Sequence, residues 1–175
     1  MKYTILVLII SFQVSIFAQM ENVEWQEGPL SCNLGKNIAK VEIDENYLFL
    51  DGKNTRIYIE STGDPISGSE VGTIFSAYNP DWMIMFEYDN IGYINDDDKY
   101  NIDADAILKS IKKGNKIANK HRIKNGFPPI HIKGWYNKPY YDDKTNNLTW
   151  AIIGESDGAP IVNQNIRFLG RLGVM

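Results

Sequence analysis

Cysteine is nearly absent from this sequence: Cys32 is the only one in 175 residues. No intrachain disulfide can form, so the fold must stand on its apolar core and not on covalent staples. Histidine is almost as scarce. His121 and His131 fall on different predicted elements, with no second His or Cys at ligand spacing, and this argues against a zinc site. There is no G-x-S-x-G elbow, and "GTIFSA" at 72–77 lacks the second glycine and the Lys-Ser/Thr pair of a phosphate loop. Nor is there an excess of positive charge. Eighteen Lys and Arg stand against 22 Asp and Glu, a formal net charge of −4, and that balance predicts no bulk attraction to nucleic acid or to an anionic membrane.

A long hydrophobic run occurs once, at the start. Lys2 precedes an apolar stretch from Ile5 to Phe17, broken only by Ser11, Gln13 and Ser15, and Ala18 closes it with a small residue. This is the pattern of a secretory signal peptide, too short for a membrane span, with cleavage expected between Ala18 and Gln19. Removal would leave 157 residues and a net charge of −5, since Lys2 is lost. The length suits one domain, 19–175, burying about 70% of its unfolded surface. Four Trp, ten Tyr and seven Phe supply large apolar surfaces for its core.

Along that domain, "IAKVEI" (38–43) and "YLFL" (47–50) read as two strands of a hairpin. The segment before them, from Glu24 to Leu34, has no clear period. Asp51 can cap a short helix reaching about Ser61. "GTIFSAY" (72–78) and "WMIMFEY" (82–88) follow as strands, and the second, apolar on both faces, is expected in the middle of a covered sheet. A long helix is predicted from about Ala104 to Asn125, stopped by Gly126 and Pro128-Pro129. Gly114 within it suggests close packing against a strand. "IHIKGW" (130–135), "LTWAII" (148–153) and "IVNQNIRFL" (161–169) complete the strands, with "NKPYYDDKTNN" and "GESDGAP" as turn-rich links. The fold class is α+β: an antiparallel sheet of six or seven strands with one long and one short helix packed on it.

"NDDDKYNIDAD" (95–105) places five aspartates before the long helix. A helical calcium loop starting at Asp96 would need a glycine at its sixth position and a glutamate at its twelfth, where Asn101 and Ile107 stand. A looser calcium arrangement stays open. Helix capping explains more: Asp103 and Asp105 sit where free N–H groups and the positive dipole end favour carboxylates, leaving Asp96, Asp97 and Asp98 as a solvated turn. No metal and no cofactor are expected.

Amides and arginines offer the candidate binding groups. Asn119 and Arg122 share a helix face, and Asn163, Asn165 and Arg167 alternate on one side of the last strand. Such arginines could grip a carboxylate or phosphate, or serve as internal scaffolding with Asp142, Asp143 or the 96–98 turn. Scaffolding is the stronger expectation. Acid/base hydrolysis would require Asp142 or Glu87, and Glu87 reads as an edge or surface position.

"GPLSCNLG", "YLFLDGKNTR", the stretch from "WMIMFEYDNIGYINDDDKYNIDAD" through "NNLTWAI", and "NQNIRFLGRLGVM" together resemble the bacterial family known as domain of unknown function 2167. The most specific parts are Gly92-Tyr93-x-x-Asp96-Asp97-Asp98, Asn119-x-x-Arg122, Gly134-Trp135 with Pro139-x-Tyr141-Asp142, Leu148-x-Trp150-Ala151, and Leu169-Gly170-Arg171-x-Gly173. The resemblance implies an exported, membrane-anchored envelope protein without an established activity, so no catalytic residue is carried over. Family members usually continue past the last motif into apolar anchoring stretches, and this chain stops at Met175; it is expected to lack that anchor. Gln164 and Ile166 stand where the family tends to have Tyr and Thr.

The expectation is therefore a non-enzymatic module of the periplasm or envelope that binds an unknown envelope protein or small ligand, and no nucleic acid. Its candidate binding residues are Arg122, Arg167, Asn119, Asn163, Trp135, Tyr141 and Asp142. The alternative is an envelope hydrolase or transferase with a carboxylate acid/base and an arginine that stabilises an anion.

Overall fold

The computed structural model describes residues 22–95 and 97–175. The expected signal peptide and Asp96 lie outside the described residues. The class is α+β, and the chain divides into two compact units, one ending at Glu87 and one spanning Tyr88–Met175.

The first unit contains β1 (Gln26–Glu27), β2 (Leu30–Leu34), β3 (Ala39–Ile43), β4 (Tyr47–Asp51), α1 (Gly52–Ser61), β5 (Glu70–Ser76) and β6 (Met83–Glu87). Its four-stranded antiparallel sheet runs β1-β4-β5-β6, while β2 and β3 form a separate two-stranded ladder. The expected hairpin of 38–43 with 47–50 is thus corrected. Both segments are strands, but β3 turns back on β2 through Gly35 and Asn37, whose φ values of 56° and 61° permit a tight reversal. The segment without visible period holds β1 and β2.

Local chemistry explains α1. Asp51 accepts the Asn54 N–H at 2.8 Å and the Asn54 side-chain amide at 3.0 Å, a cap for the first turn. One turn in, the buried Thr55 hydroxyl lies 3.3 Å from the Leu50 carbonyl and 3.1 Å from the Thr73 hydroxyl, fastening the helix to β4 and β5. Leu34, Ile43, Phe49, Leu50 and Ile59 are buried around it. Gly72 lets the Phe49 ring approach the sheet, for a Cβ there would lie 2.9 Å from both Phe49 Cε2 and Leu34 Cδ2. Cys32 is buried here, and burial, followed by the Glu42 charge, pushes its thiol pKa up, the reverse of a reactive cysteine.

β6 is the edge of its sheet and not a covered central strand; Met83 and Ile84 are 45% and 47% exposed. An apolar run on both faces reads the same from composition whether the strand lies at the centre of a sheet or at its edge.

The second unit contains α2 (Ala104–Lys124), β7 (Ile130–Asp142), β8 (Asn147–Ser156) and β9 (Ala159–Phe168), with the strands in an antiparallel meander β7-β8-β9. The expected single sheet of six or seven strands is therefore nine strands in three sheets among the described residues. The expected link at 137–147 is also corrected: Asn137–Asp142 extends β7. Register shifts flank Asn137 and absorb Pro139, which lacks a ladder N–H. Gly114 has nothing within 4 Å of where a Cβ would stand, so close packing does not require it. No helix among the described residues is long and apolar enough to cross a membrane.

After β9 the chain reverses. Gly170 N–H donates to the Gly173 carbonyl at 2.8 Å, and Phe168 and Met175 exchange backbone hydrogen bonds of 2.8 and 3.1 Å. Val174 then pairs with Asp89 in both directions, at 2.9 and 3.0 Å. Gly173 is required at this crossing, because a Cβ would be driven into the Asp89 carbonyl. The glycine motif near Met175 is thus a tight hairpin stitched to the segment that opens the unit.

Candidate functional site

Between that stitched hairpin, the aspartate-rich turn, the start of α2 and the sheet lies a cleft of about 590 Å³, wholly within the second unit. Its walls are mainly aliphatic: Ile91, Ile94 and Ile102 from the loop before α2, Ile107 from the first turns of the helix, Leu148 from β8, and Leu169 and Val174 from the terminal hairpin. Asp89, Asn95, Asp98, Lys99, Asn101 and Asp103 supply polar groups, and Tyr141 and Arg167 contribute from β7 and β9. A volume of this size with apolar walls and a few polar groups is of the kind that holds small molecules or an inserted side-chain cluster.

Lys99 and Tyr141, both lining residues, belong to a charged clasp. Lys99 makes an ion pair with Asp143 at 3.0 Å and lies over the Tyr141 ring, 4.8 Å from its centroid. Tyr100 donates its hydroxyl to the same carboxylate at 2.9 Å. The Lys99 ammonium, with the Tyr100 hydroxyl beside it, holds the Asp143 carboxyl below its ordinary range. This clasp joins the aspartate-rich turn to the β7–β8 turn. Within the first turn, Asn95 accepts the Asp97 N–H at 3.0 Å and donates its amide to the Asp97 carboxylate at 2.8 Å. Asp103 caps α2, accepting the Ala106 N–H at 2.9 Å.

The residues named from sequence separate into groups. Tyr141 and Arg167 line the cleft, with the Arg167 guanidinium 6.0 Å from the centroid of the Trp150 ring. Asn163 lies on the same face of β9 as Arg167 but beyond the cleft, accepting the Asn165 amide at 2.8 Å. Asn119 and Arg122 stand near the other end of α2 and act on the backbone: Asn119 bonds both polar groups of Ile130, and Arg122, 8% exposed, donates to the Pro128 carbonyl at 2.9 Å. Trp135 is half-buried on β7, and its indole N–H is buried without an acceptor among the described residues. Asp142 accepts the Lys144 N–H at 2.9 Å, closing the β7–β8 turn. Glu87 belongs to the first unit, on edge strand β6. Arg122 and Asp142 are absent from the cleft walls, so the arginine–carboxylate constellation does not assemble there.

Asp143, expected as a scaffold partner of an arginine, pairs with Lys99. Lys99 and the isoleucines of the loop were not singled out by sequence. Their signal was available: Ile91, Ile94 and Ile102 are apolar residues spaced through a strongly acidic loop, which is the mark of a loop with a buried side.

No curated protein and no solved structure matches this chain. A family model does match, over residues 26–175, taking in the turn, the helix, the meander and the terminal hairpin that build the cleft. The chain belongs to the family described as Protein of unknown function (DUF2167).

Proposed function

We propose that this is an exported envelope protein that works as a non-enzymatic binding module, and that the cleft of the second unit receives an apolar group of a small ligand or of an envelope partner protein. One observation carries the reading. Four of the five segments that give the chain its family resemblance contribute walls of this one cleft: Ile94, Asn95 and Asp98 from the first, then Tyr141, Leu148 and Leu169. The fifth, Asn119-x-x-Arg122, fastens the helix whose beginning forms another wall. Aliphatic walls favour an apolar guest, worth about 25 cal/mol per Å² of apolar surface removed from water. Lys99 is already paired with Asp143, and Asp89, Asp98 and Asp103 line the cleft beside Arg167, so the apolar surface of the guest and not its charge carries the recognition. The signal-like segment at 1–18 supports export.

The test uses anilinonaphthalene sulfonate, an apolar ring system with one anionic group. Wild-type protein should bind it saturably at one site, and Ala106→Trp, which places an indole in the cleft from a wall residue at the exposed start of α2, should abolish the signal without lowering the melting temperature. Equal dye binding by Ala106→Trp would refute the site. Turnover of broad hydrolase substrates that survives repurification would refute the non-enzymatic reading. Expression in a bacterium with two membranes should yield periplasmic protein beginning at Gln19; protein retained inside with Met1 intact would refute export.

A further inference from the structure

The net charge of −4 conceals an uneven distribution. Residues 88–175 hold thirteen of the eighteen Lys and Arg but only ten of the twenty-two Asp and Glu, a net of +3, which leaves −7 for residues 1–87. Most of that positive charge lies on α2. From Ala106 to Lys124 the helix carries Lys109, Lys112, Lys113, Lys116, Lys120 and Lys124 and no acid. At 3.6 residues per turn, Lys109, Lys113, Lys116 and Lys120 fall within an arc of about 60°, and Lys109 to Lys124 spans about 22 Å. These four lysines and Lys124 are exposed, and Lys112 is half-buried. No carboxylate among the described residues forms an ion pair with any of the six. The opposite face, with Ile107, Ile111, Ala118 and Arg122, is the half-buried to buried side.

We propose that the lysine face of α2 is an electrostatic docking surface for an anionic lipid bilayer. Charge complementarity selects an anionic occupant, and a surface within about 10 Å of the helix meets the lysines and not the average charge of the chain. Two further features select a lipid surface. Ile117 and Ile123, 65% and 60% exposed, flank the lysine arc, placed to enter the boundary between headgroups and acyl chains as the ammonium groups rest among phosphates. A soluble polyanion would leave both in water. The helix also contains no Phe, Tyr or Trp to stack on bases, and its single arginine fork turns inward to the Pro128 carbonyl. Flexible lysines without such a fork suit a diffuse array of phosphates better than one shaped site. The inference does not depend on what the cleft binds.

Flotation of the full chain with phosphatidylcholine vesicles, with and without phosphatidylglycerol, tests it. Because the apolar N-terminal segment could itself bind lipid, the readout is the increment that phosphatidylglycerol adds. That increment should be large at low salt and fall as ionic strength rises. Lys113→Gln/Lys116→Gln/Lys120→Gln should lower it roughly a hundredfold, about fivefold for each lysine near the surface, with the melting temperature unchanged. If the triple variant misfolds, Lys116→Gln and Lys120→Gln taken singly should each lower it about fivefold. Lys36→Gln/Lys40→Gln/Lys53→Gln, which removes the same charge from the first unit, should leave it unaltered. Equal losses in the two triple variants would overturn the proposal. So would displacement from vesicles by soluble glycerol phosphate, or retention of a single-stranded oligonucleotide as tightly as the vesicles.

Discussion

Asn119 and Ile130 hold each other by two hydrogen bonds of 2.8 Å, the Asn119 amide donating to the Ile130 carbonyl while its oxygen accepts the Ile130 N–H. β7 is the terminal strand of its sheet, so a single side chain here supplies what a neighbouring strand would offer its outer edge. The chain from Lys120 to Pro129, containing the helix stop and Pro128-Pro129, is closed into a loop by this contact.

Asn119→Ala should therefore destabilise the protein by about 2 kcal/mol, because a half-buried N–H and C=O lose their partners together. Asn119→Asp should fall between, since it still accepts from the N–H. Urea denaturation measures both. A loss within about 0.5 kcal/mol, the ordinary range for surface changes, would mean that water replaces the amide.

Removing aspartates from the acidic turn should matter less than removing the cap. Asp97→Asn and Asp98→Asn should each shift stability by no more than about 0.5 kcal/mol, whereas Asp103→Ala should cost about 1 kcal/mol by freeing the Ala106 N–H. A calcium site would reverse this order. Thermal melts with calcium or chelator check it: a calcium-dependent rise that Asp98→Asn removes would contradict the capping account.

Stability in acid should depend on Glu70, which is 3% exposed and accepts the N–H groups of Ser67 and Gly68 and the Ser67 hydroxyl at 2.7–2.9 Å. Burial is the largest single influence and pushes its pKa up, but the hydrogen bonds together outweigh it and hold the carboxyl below its ordinary 4.5. A depressed folded pKa gives stabilisation that is present above the unfolded value and lost as pH falls through the folded one. Denaturation midpoints should accordingly decline below pH 4.5, and Glu70→Gln should be less stable at neutral pH with a shallower acid decline. An unchanged acid slope in Glu70→Gln would refute this assignment.

Gly114→Ala should raise stability by about 0.5–1 kcal/mol. The site has room for the methyl group and lies inside a helix, where glycine is the weaker former. A loss on calorimetry would imply that the helix needs to bend there.

Both helices were legible in the sequence because their signals are local: Asp51 and Asp103 at the caps, Gly126 after the last turn. Strand existence was also largely legible. Strand pairing was not, since whether β3 joins β2 or β4 depends on a turn conformation at Gly35 and Asn37 that many sequences satisfy. β7 was cut short at Trp135 because Lys138-Pro139 looks like a turn, and only the register shifts around Asn137 reveal how a strand passes through it. Arg167 was reached from its chemistry and Tyr141 from the family motif, and Asn119 and Arg122 were favoured as scaffold. The aliphatic walls of the cleft were invisible, since Ile91, Ile94, Leu169 and Val174 come from loops where no period connects them. The lysine stripe lay in plain view at helical spacing, but an averaged charge hid it.

α2 is secured near its two ends. Asp103 ties down its first turn and Asn119 and Arg122 hold its last turns to the chain beyond, while between Lys109 and Ile117 only Ile111, Lys112 and Asn115 are even half-buried. Its middle residue of twenty-one is Gly114. Helices ordinarily fray from the tips inward, but here the tips are the fixed points. Amide protons around Gly114 should exchange through brief central openings that leave both ends closed, as a string fixed at each end moves most at its midpoint.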